Sequence, residues 1–208
     1  RMGVVFRTIN QSLSSNGSLT FTISNNYVLS TSSSSATING AGSVNVTLSQ
    51  AETSNYNSST SSFTITVNKI DPTIVFDNIT KTYGDANFNL VATSSSTGAF
   101  TFNILDANVA SVTGSNTTIV GAGTTTVTVT QAADSNYNAA TTTMTLTVNK
   151  ADPSIIFNDV IATYGQVNFD LTSTSSSTGA LTYNILDANV ATLSDKTCLL
   201  YTSDAADD

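Results

Sequence analysis

Gly40-Ala41-Gly42 and Gly121-Ala122-Gly123 each carry the Gly-x-Gly with which a nucleotide-binding turn brings backbone N–H groups against a pyrophosphate. That chemistry also needs a third glycine and a helix N-terminus to receive the anion. Here a Val/Thr strand pattern follows at once, so the glycines read as a tight connection with positive φ. Five aspartates, Asp71, Asp77, Asp85, Asp106 and Asp134, could lend oxygens to calcium at domain junctions. They stand singly, with no D-x-D-x-D run, and read as solvated surface; nothing in the pattern raises one carboxyl pKa for glycoside hydrolysis. Lys69 and Lys150 could form an isopeptide bond with an Asn or Asp, but Glu52 is the one glutamate available to assist. No catalytic, cofactor-binding or metal residue is assigned, no cofactor is expected, and the chain does not read as an enzyme.

Two residue types remain that could recognise a ligand. Tyr56 and Tyr137 precede a last strand, and Tyr83 and Tyr164 follow a first one. They read as corner tyrosines with a buried ring and a hydroxyl bonded to backbone, a sugar-stacking platform being the sharper alternative. Thr126, Thr128, Thr143 and Thr145 stand at strand spacing and could form a flat face for glycan or ice. Threonine is also the ordinary outward residue of a strand.

Most of these features recur at one interval. Asn68-Lys69-Ile70-Asp71-Pro72 returns 81 positions later as Asn149-Lys150-Ala151-Asp152-Pro153, Thr82-Tyr83-Gly84 as Thr163-Tyr164-Gly165, and Asn103 to Ala110 unchanged as Asn184 to Ala191. Gln50 with Ser54-Asn55-Tyr56-Asn57 returns as Gln131 with Ser135-Asn136-Tyr137-Asn138, and 70–114 matches 151–195 at 26 of 45 positions. A period long enough for its own core predicts a tandem array. The boundaries follow the Lys-x-Asp-Pro segments: a truncated repeat over 1–69, a complete one over 70–150 and a truncated third over 151–197.

Period-two alternation marks the elements. Thr124 to Thr130 places Val127 and Val129 on one face and threonines on the other; Met144, Leu146 and Val148 form a second stripe, and Phe100, Phe102 and Ile104 a third. Shorter strands are predicted around Ile74 and Phe76, Phe88 and Leu90, Val109 and Val112, and Ile119 and Val120. The other copies keep the code, with Phe63, Ile65 and Val67 in the first and Leu181, Tyr183 and Ile185 in the third. About seven short strands per repeat, with Gly/Asn/Ser turns, predict an all-β fold of tandem antiparallel sandwiches of the immunoglobulin-like kind. Ser, Thr and Asn supply 89 of 208 residues and charged residues only 10%. Six Lys and Arg with no basic patch argue against nucleic acid, and no apolar run approaches the roughly 18–20 residues of a membrane span.

The Gly121-Ala122-Gly123-Thr124 turn, the Val/Thr strand, Ser-Asn-Tyr and a last strand ending Val-Asn-Lys are together similar to bacterial immunoglobulin-like domains of invasins, intimins and large repetitive surface proteins. Lys81-Thr82-Tyr83-Gly84-Asp85 with Phe88 resembles the tyrosine-glycine signature of repeats in very large secreted bacteroidete proteins. The third repeat departs with Ala162 and Gln166 in place of Lys81 and Asp85. The resemblance covers about 1–195 and implies an extracellular, bacterial cell-surface setting without catalytic residues. It implies a stalk or spacer in adhesion, whose partners are the neighbouring repeats and, in the alternative, surface glycans bound by an accessory module. From Cys198 the residues CLLYTSDAADD resemble translated sequencing-adapter read-through, which predicts a non-native tail over 198–208 on an environmental gene fragment. Without it the chain has no cysteine and its net charge falls from −8 to −5.

Overall fold

Alternating Val and Thr from Gly123 onward gives a strand one apolar and one hydroxyl-bearing face, and a nine-pair antiparallel ladder forms there, as it does at the equivalent strands of the first repeat. The computed structural model describes residues 17–32 and 35–200. In the first repeat it holds β1 (Leu19–Ile23), β2 (Leu29–Ser32), β3 (Ser35–Ile38), β4 (Gly42–Gln50) and β5 (Ser59–Val67). The second holds β6 (Ile74–Val75), β7 (Ile79–Thr82), β8 (Phe88–Asn89), β9 (Thr93–Ser94), β10 (Phe100–Ile104), β11 (Ala110–Thr113), β12 (Asn116–Ile119), β13 (Gly123–Gln131) and β14 (Ala140–Asn149). The third holds β15 (Ile155–Phe157), β16 (Phe169–Asp170), β17 (Ser173–Ser175), β18 (Ala191–Ser194) and β19 (Thr197–Leu200). No helix occurs among the described residues. The chain divides into two units between Lys150 and Ala151, so the first two repeats belong to one unit.

In the second repeat one sheet runs β10-β13-β14-β7 and another β11-β12-β8, with β6 and β9 forming a separate two-stranded pair. This is the immunoglobulin arrangement, with the first strand shared between the sheets. The inward stripes expected from the sequence meet between them. Val127, Val129, Met144, Leu146 and Val148 are buried, and Leu90, Val109 and Ala110 of the facing layer close over them. Phe76, Phe88, Phe102 and Ile104 pack around this cluster. Each fully buried aliphatic side chain contributes about 1.5–3 kcal/mol relative to exposure. Val120, expected in a strand, is instead exposed, because β12 ends at Ile119 and Val120 opens the turn into Gly121.

One pairing departs from the antiparallel expectation: β7 runs parallel to β14, with Leu146 opposite Ile79. The chain begins on one sheet at β6, crosses over Phe76-Asp77-Asn78, and then lies on the free edge of the last strand. Asn78 Oδ1 accepts the Thr145 N–H at 2.7 Å, which fixes the crossing.

Register is preserved from copy to copy. Phe100 opposite Gln131 and Gly123 opposite Val148 repeat Leu19 opposite Gln50 and Gly42 opposite Val67. Phe88 opposite Thr117 is matched by Phe169 opposite Cys198. Cys198 to Leu200, set apart in the sequence reading, thus form most of β19, with Cys198 buried where the second repeat has buried Thr117. That register asks only for small or apolar inward residues, which Cys and Leu supply; residues 201–208 lie outside the described residues, as do 1–16 of the first repeat. The β11–β12 turn has Gly114 at φ 62°, and its counterpart Asp195 takes φ 57°. Aspartate is among the few L-residues that tolerate this region.

Leu146→Ala should lower the stability of the full chain by about 2–5 kcal/mol in a denaturant titration, since a fully buried side chain is removed from between two sheets. Leu105→Ala, at a site 77% exposed, should stay within about 0.5 kcal/mol. Equal losses at the two positions would contradict the placement of the core.

Candidate functional site: the inter-repeat junction

The connection between β13 and β14, Ala132 to Ala139, is shaped by one carboxylate. Asp134 Oδ1 accepts the backbone N–H groups of Asn136 and Tyr137, both at 2.8 Å. Its Oδ2 accepts the Thr97 N–H at 2.8 Å and the hydroxyls of Thr97 and Ser96 at 3.0 Å each. These donors, Thr97 N–H foremost and the amides of Asn136 and Tyr137 with it, hold the Asp134 carboxyl well below the usual carboxylate range. Fully buried Gln131 ties the same two connections from beneath, donating Nε2 to the carbonyls of Ser96 and Gly98 at 3.1 and 3.0 Å.

Thus fixed, the loop grips the segment entering the repeat. Ile70 N–H donates to Asn136 O at 3.1 Å and Asn138 N–H returns to Ile70 O at 2.9 Å, a parallel bridge beside Tyr137. Asn138 Nδ2 donates to Asp71 Oδ1 at 2.7 Å, and Lys69 Nζ to Asp134 O at 2.7 Å. Pro72 is buried and has its φ locked, so the segment Lys69 to Pro72 is strapped down rather than free.

The same loop reaches the preceding repeat. Asn136 Oδ1 accepts the Ala41 N–H at 2.8 Å, across 95 residues of sequence. Ala41 sits in the Gly40-Ala41-Gly42 turn, where Gly42 has φ 138°. A Cβ on Gly40 would lie 2.9 Å from Asn136 Oδ1 and 3.0 Å from Tyr27 O. The Gly-x-Gly is therefore a tight connection, as read from the sequence, although only its second glycine takes the positive φ expected of both, and it is also a seat for an amide of the next repeat. The recurring Gly-Ala-Gly, Ser-Asn-Tyr-Asn and Lys-x-Asp-Pro segments converge at this one place.

Three of the four tyrosines depart from the corner expectation. Tyr56, Tyr83 and Tyr164 are 56%, 53% and 68% exposed. Tyr83 is the second residue of a turn in which Asp85 N–H donates to Thr82 O at 3.0 Å and Gly84 has φ 95°. Such a type II turn points its second side chain outward. Tyr137 is half-buried, and its backbone rather than its hydroxyl makes the ties described here. The aspartates, read as solvated surface, are mostly turn acceptors: Asp106 Oδ1 caps Asn108, and Asp85 Oδ2 takes the Thr82 N–H at 2.9 Å. Gln166 Oε1 takes the Thr163 N–H at 3.2 Å in the third repeat, so the position requires an acceptor and not a charge. Asp77 is exposed. Among the described residues no three His, Cys, Asp or Glu side chains come together. Lys69 and Lys150 are exposed, unlike the buried lysine an isopeptide bond requires.

Thr126 stands opposite Thr145 and Thr128 opposite Thr143 on the outer face of the β10-β13-β14-β7 sheet. Thr130 and Thr141 hydroxyls lie 3.2 Å apart there. The rows are real, and their neighbours on that face are also hydroxyl and amide side chains.

No protein-family model matches this chain, and no curated protein matches it. Among solved structures it is similar to human protocadherin-24 EC1-2, at 11% identity and TM-score 0.33, over 66% of this chain and 84% of that one. It is also similar to Drosophila N-cadherin EC1-3, at 12% identity and TM-score 0.30, over 65% of this chain and 56% of that one. A third is surface layer protein SbsC, domains 4-9, at 15% identity and TM-score 0.32, over 89% of this chain and 35% of that one. At these values the likeness carries no functional argument.

Asp134 gives the junction an acid limit. Its folded pKa is depressed, so its contribution is complete above the ordinary aspartate value near about 4 and is lost as pH falls below it. The difference in denaturation midpoint between the parent chain and Asp134→Ala should be constant from about pH 7 to 5 and shrink steadily below about pH 4. A difference unchanged down to about pH 2 would show that the carboxylate does not shape the loop.

Proposed function

We propose that the chain is a spacer segment of a large bacterial cell-surface or secreted protein, a stalk of immunoglobulin-like repeats serving adhesion. The observation that supports it is the junction, where one loop binds both the entering segment and the foot of the preceding repeat. A short, strapped connection fixes the angle between neighbours far more closely than a flexible linker does. The working property is then length and stiffness, and a hydroxyl- and amide-rich surface of low charge keeps a long array in solution without strong nonspecific attraction. No helix among the described residues is long and apolar enough to cross a membrane. We read the chain as non-enzymatic, and the terminal stretch from Cys198 as adapter-derived; sequencing the gene from an independent clone decides the latter.

The threonine face favours a second reading, in which each repeat is an accessory module that binds a surface polysaccharide. The two readings separate cleanly. For a spacer, Thr→Ser at Thr126, Thr128, Thr143 and Thr145 should leave stability within about 1–2 kcal/mol and cell attachment unchanged. Removing whole repeats from the full gene should shorten the particle stepwise and weaken attachment. Saturable glycan binding by the full chain, lost in the Thr variant, would overturn the spacer.

Calcium is a further check, because metal-stiffened junctions would melt differently. A site filled at 100 times its Kd adds about 2.7 kcal/mol, or roughly 10–20 °C in Tm for a domain of this size. EDTA should shift the melting of the full chain by far less than that. A drop of that size would move the stiffening role from the amide contacts to the junction aspartates.

A further inference from the structure

The lower end of the second repeat repeats the seat that the first repeat offers. In the first, Asn39 N–H and Gly40 N–H both donate to Val28 O, at 2.9 and 3.4 Å; in the second, Val120 N–H and Gly121 N–H both donate to Val109 O, at 2.9 and 3.2 Å. Gly42 and Gly123 share positive φ, and a Cβ on either would crowd the equivalent side chain, Val28 or Val109, at 2.9 Å. Gly121 is closed to a side chain by Asn108 O at 2.7 Å, as Gly40 is by Tyr27 O. The one difference lies in what the middle residue meets. Ala41 N–H donates to Asn136, whereas Ala122 is exposed and its N–H has no acceptor among the described residues.

The complementary half is also displayed twice. Asn136 and Tyr137 engage Ala41 and Ile70, while their counterparts Asn55 and Tyr56 stand at the other end of the same unit in a loop closed by the Thr53–Tyr56 bridge. Tyr56 is 56% exposed where Tyr137 is half-buried beside Ile70. Beyond Asn138 the sequence contains no further Ser-Asn-Tyr segment.

We infer that Gly121-Ala122-Gly123 is a docking face for the asparagine of a Ser-Asn-Tyr-Asn loop on another repeat of this kind, received through the Ala122 N–H. The contact is head-to-tail and polar. One repeat gives a backbone donor framed by two glycines, and the next gives a side-chain carbonyl held by its own loop. Such a heterologous contact propagates along an array without limit of copy number. One neutral hydrogen bond is too weak to hold separate molecules, so the covalent linkage must supply the effective concentration. The occupant is therefore a repeat joined covalently in tandem that carries a Ser-Asn-Tyr-Asn loop of its own.

The inference rests on the spacer reading, and the experiment separates the two. A second copy of residues 70–150 is inserted after Lys150 of the full chain, with the residues before the insertion isotopically labelled, and amide exchange is followed by NMR. In the parent chain Ala41 should exchange at least about 10-fold more slowly than Ala122, the factor expected of one retained hydrogen bond of about 1.4 kcal/mol. In the extended chain Ala122 should slow to match Ala41. Asn→Ala at the inserted counterpart of Asn136 should restore fast exchange at Ala122, and Asn→Asp, which keeps an oxygen acceptor, should not. If Ala41 itself exchanges freely, the junction and the spacer reading fall together. If Ala41 is protected and Ala122 stays fast, only the docking face is refuted. An inserted copy that does not fold counts against the face as well, because a seat that cannot accept an identical neighbour is not its docking site.

Discussion

Five donors converge on the carboxylate of Asp134, and the shape of the junction follows from that convergence. A carboxylate with several N–H and O–H partners is among the stronger anchors available without a metal. With it in place, Asn136 presents its backbone carbonyl to Ile70 and its side-chain carbonyl to Ala41. The Asp134 carbonyl is turned toward Lys69. Without that anchor an eight-residue connection rich in Ala and Asn would have no reason to hold one conformation, and each contact to the neighbouring repeat would carry the entropy of ordering it.

The junction works by number rather than by strength. Its bonds to the entering segment and the preceding repeat are mostly neutral, each contributing about 0.5–1.5 kcal/mol net. Lys69 and Asp71 add charge-assisted partners but form no ion pair with each other among the described contacts. Stiffness built from amides is little affected by salt, in contrast to surface ion pairs. It also leaves the junction yielding, since a few bonds part without disturbing the core between the two sheets. Core and junction are thus separate: Leu146 and Val127 lie within a repeat, while Asn136 and Ala41 face its neighbour.

Much of the fold was legible from local pattern. Val127 and Val129 alternate with threonines, and Met144, Leu146 and Val148 do the same, because a half-buried strand imposes period two. The parallel edge of β7 was not legible, since four residues, Ile79 to Thr82, carry no mark of strand direction. Tyr83 and Tyr164 misled because a Tyr-Gly pair at a tight turn and a corner tyrosine look alike in sequence, and the positive φ of Gly84 and Gly165 tells them apart. Asp85 and Gln166 look like a lost charge, yet both supply an oxygen to the N–H three residues before. The junction itself was half visible. Its three segments were conspicuous as repeats, but nothing local joins Asn136 to Ala41 across 95 residues. Their shared interval of 81 was the available signal, since segments that recur together can serve one purpose.

Comparison of the two copies of the loop shows where an array of this kind can vary. Asp134 in the second repeat is Thr53 in the first, and there the Thr53–Tyr56 backbone bridge closes the loop without a carboxylate hub. Ile70, paired beside Tyr137, becomes Ala151 at the next boundary, a smaller side chain at the same step of the entering segment. Inward positions vary within a narrow range of size, as in Phe102 against Tyr183 and buried Thr125 against buried Val44, because the two sheets must still close. Loop positions face no such limit. The change between Thr53 and Asp134 falls on the loop, outside the buried clusters of either repeat. The carboxylate hub is therefore a feature of the second repeat's loop that the 81-residue period does not carry over to the first.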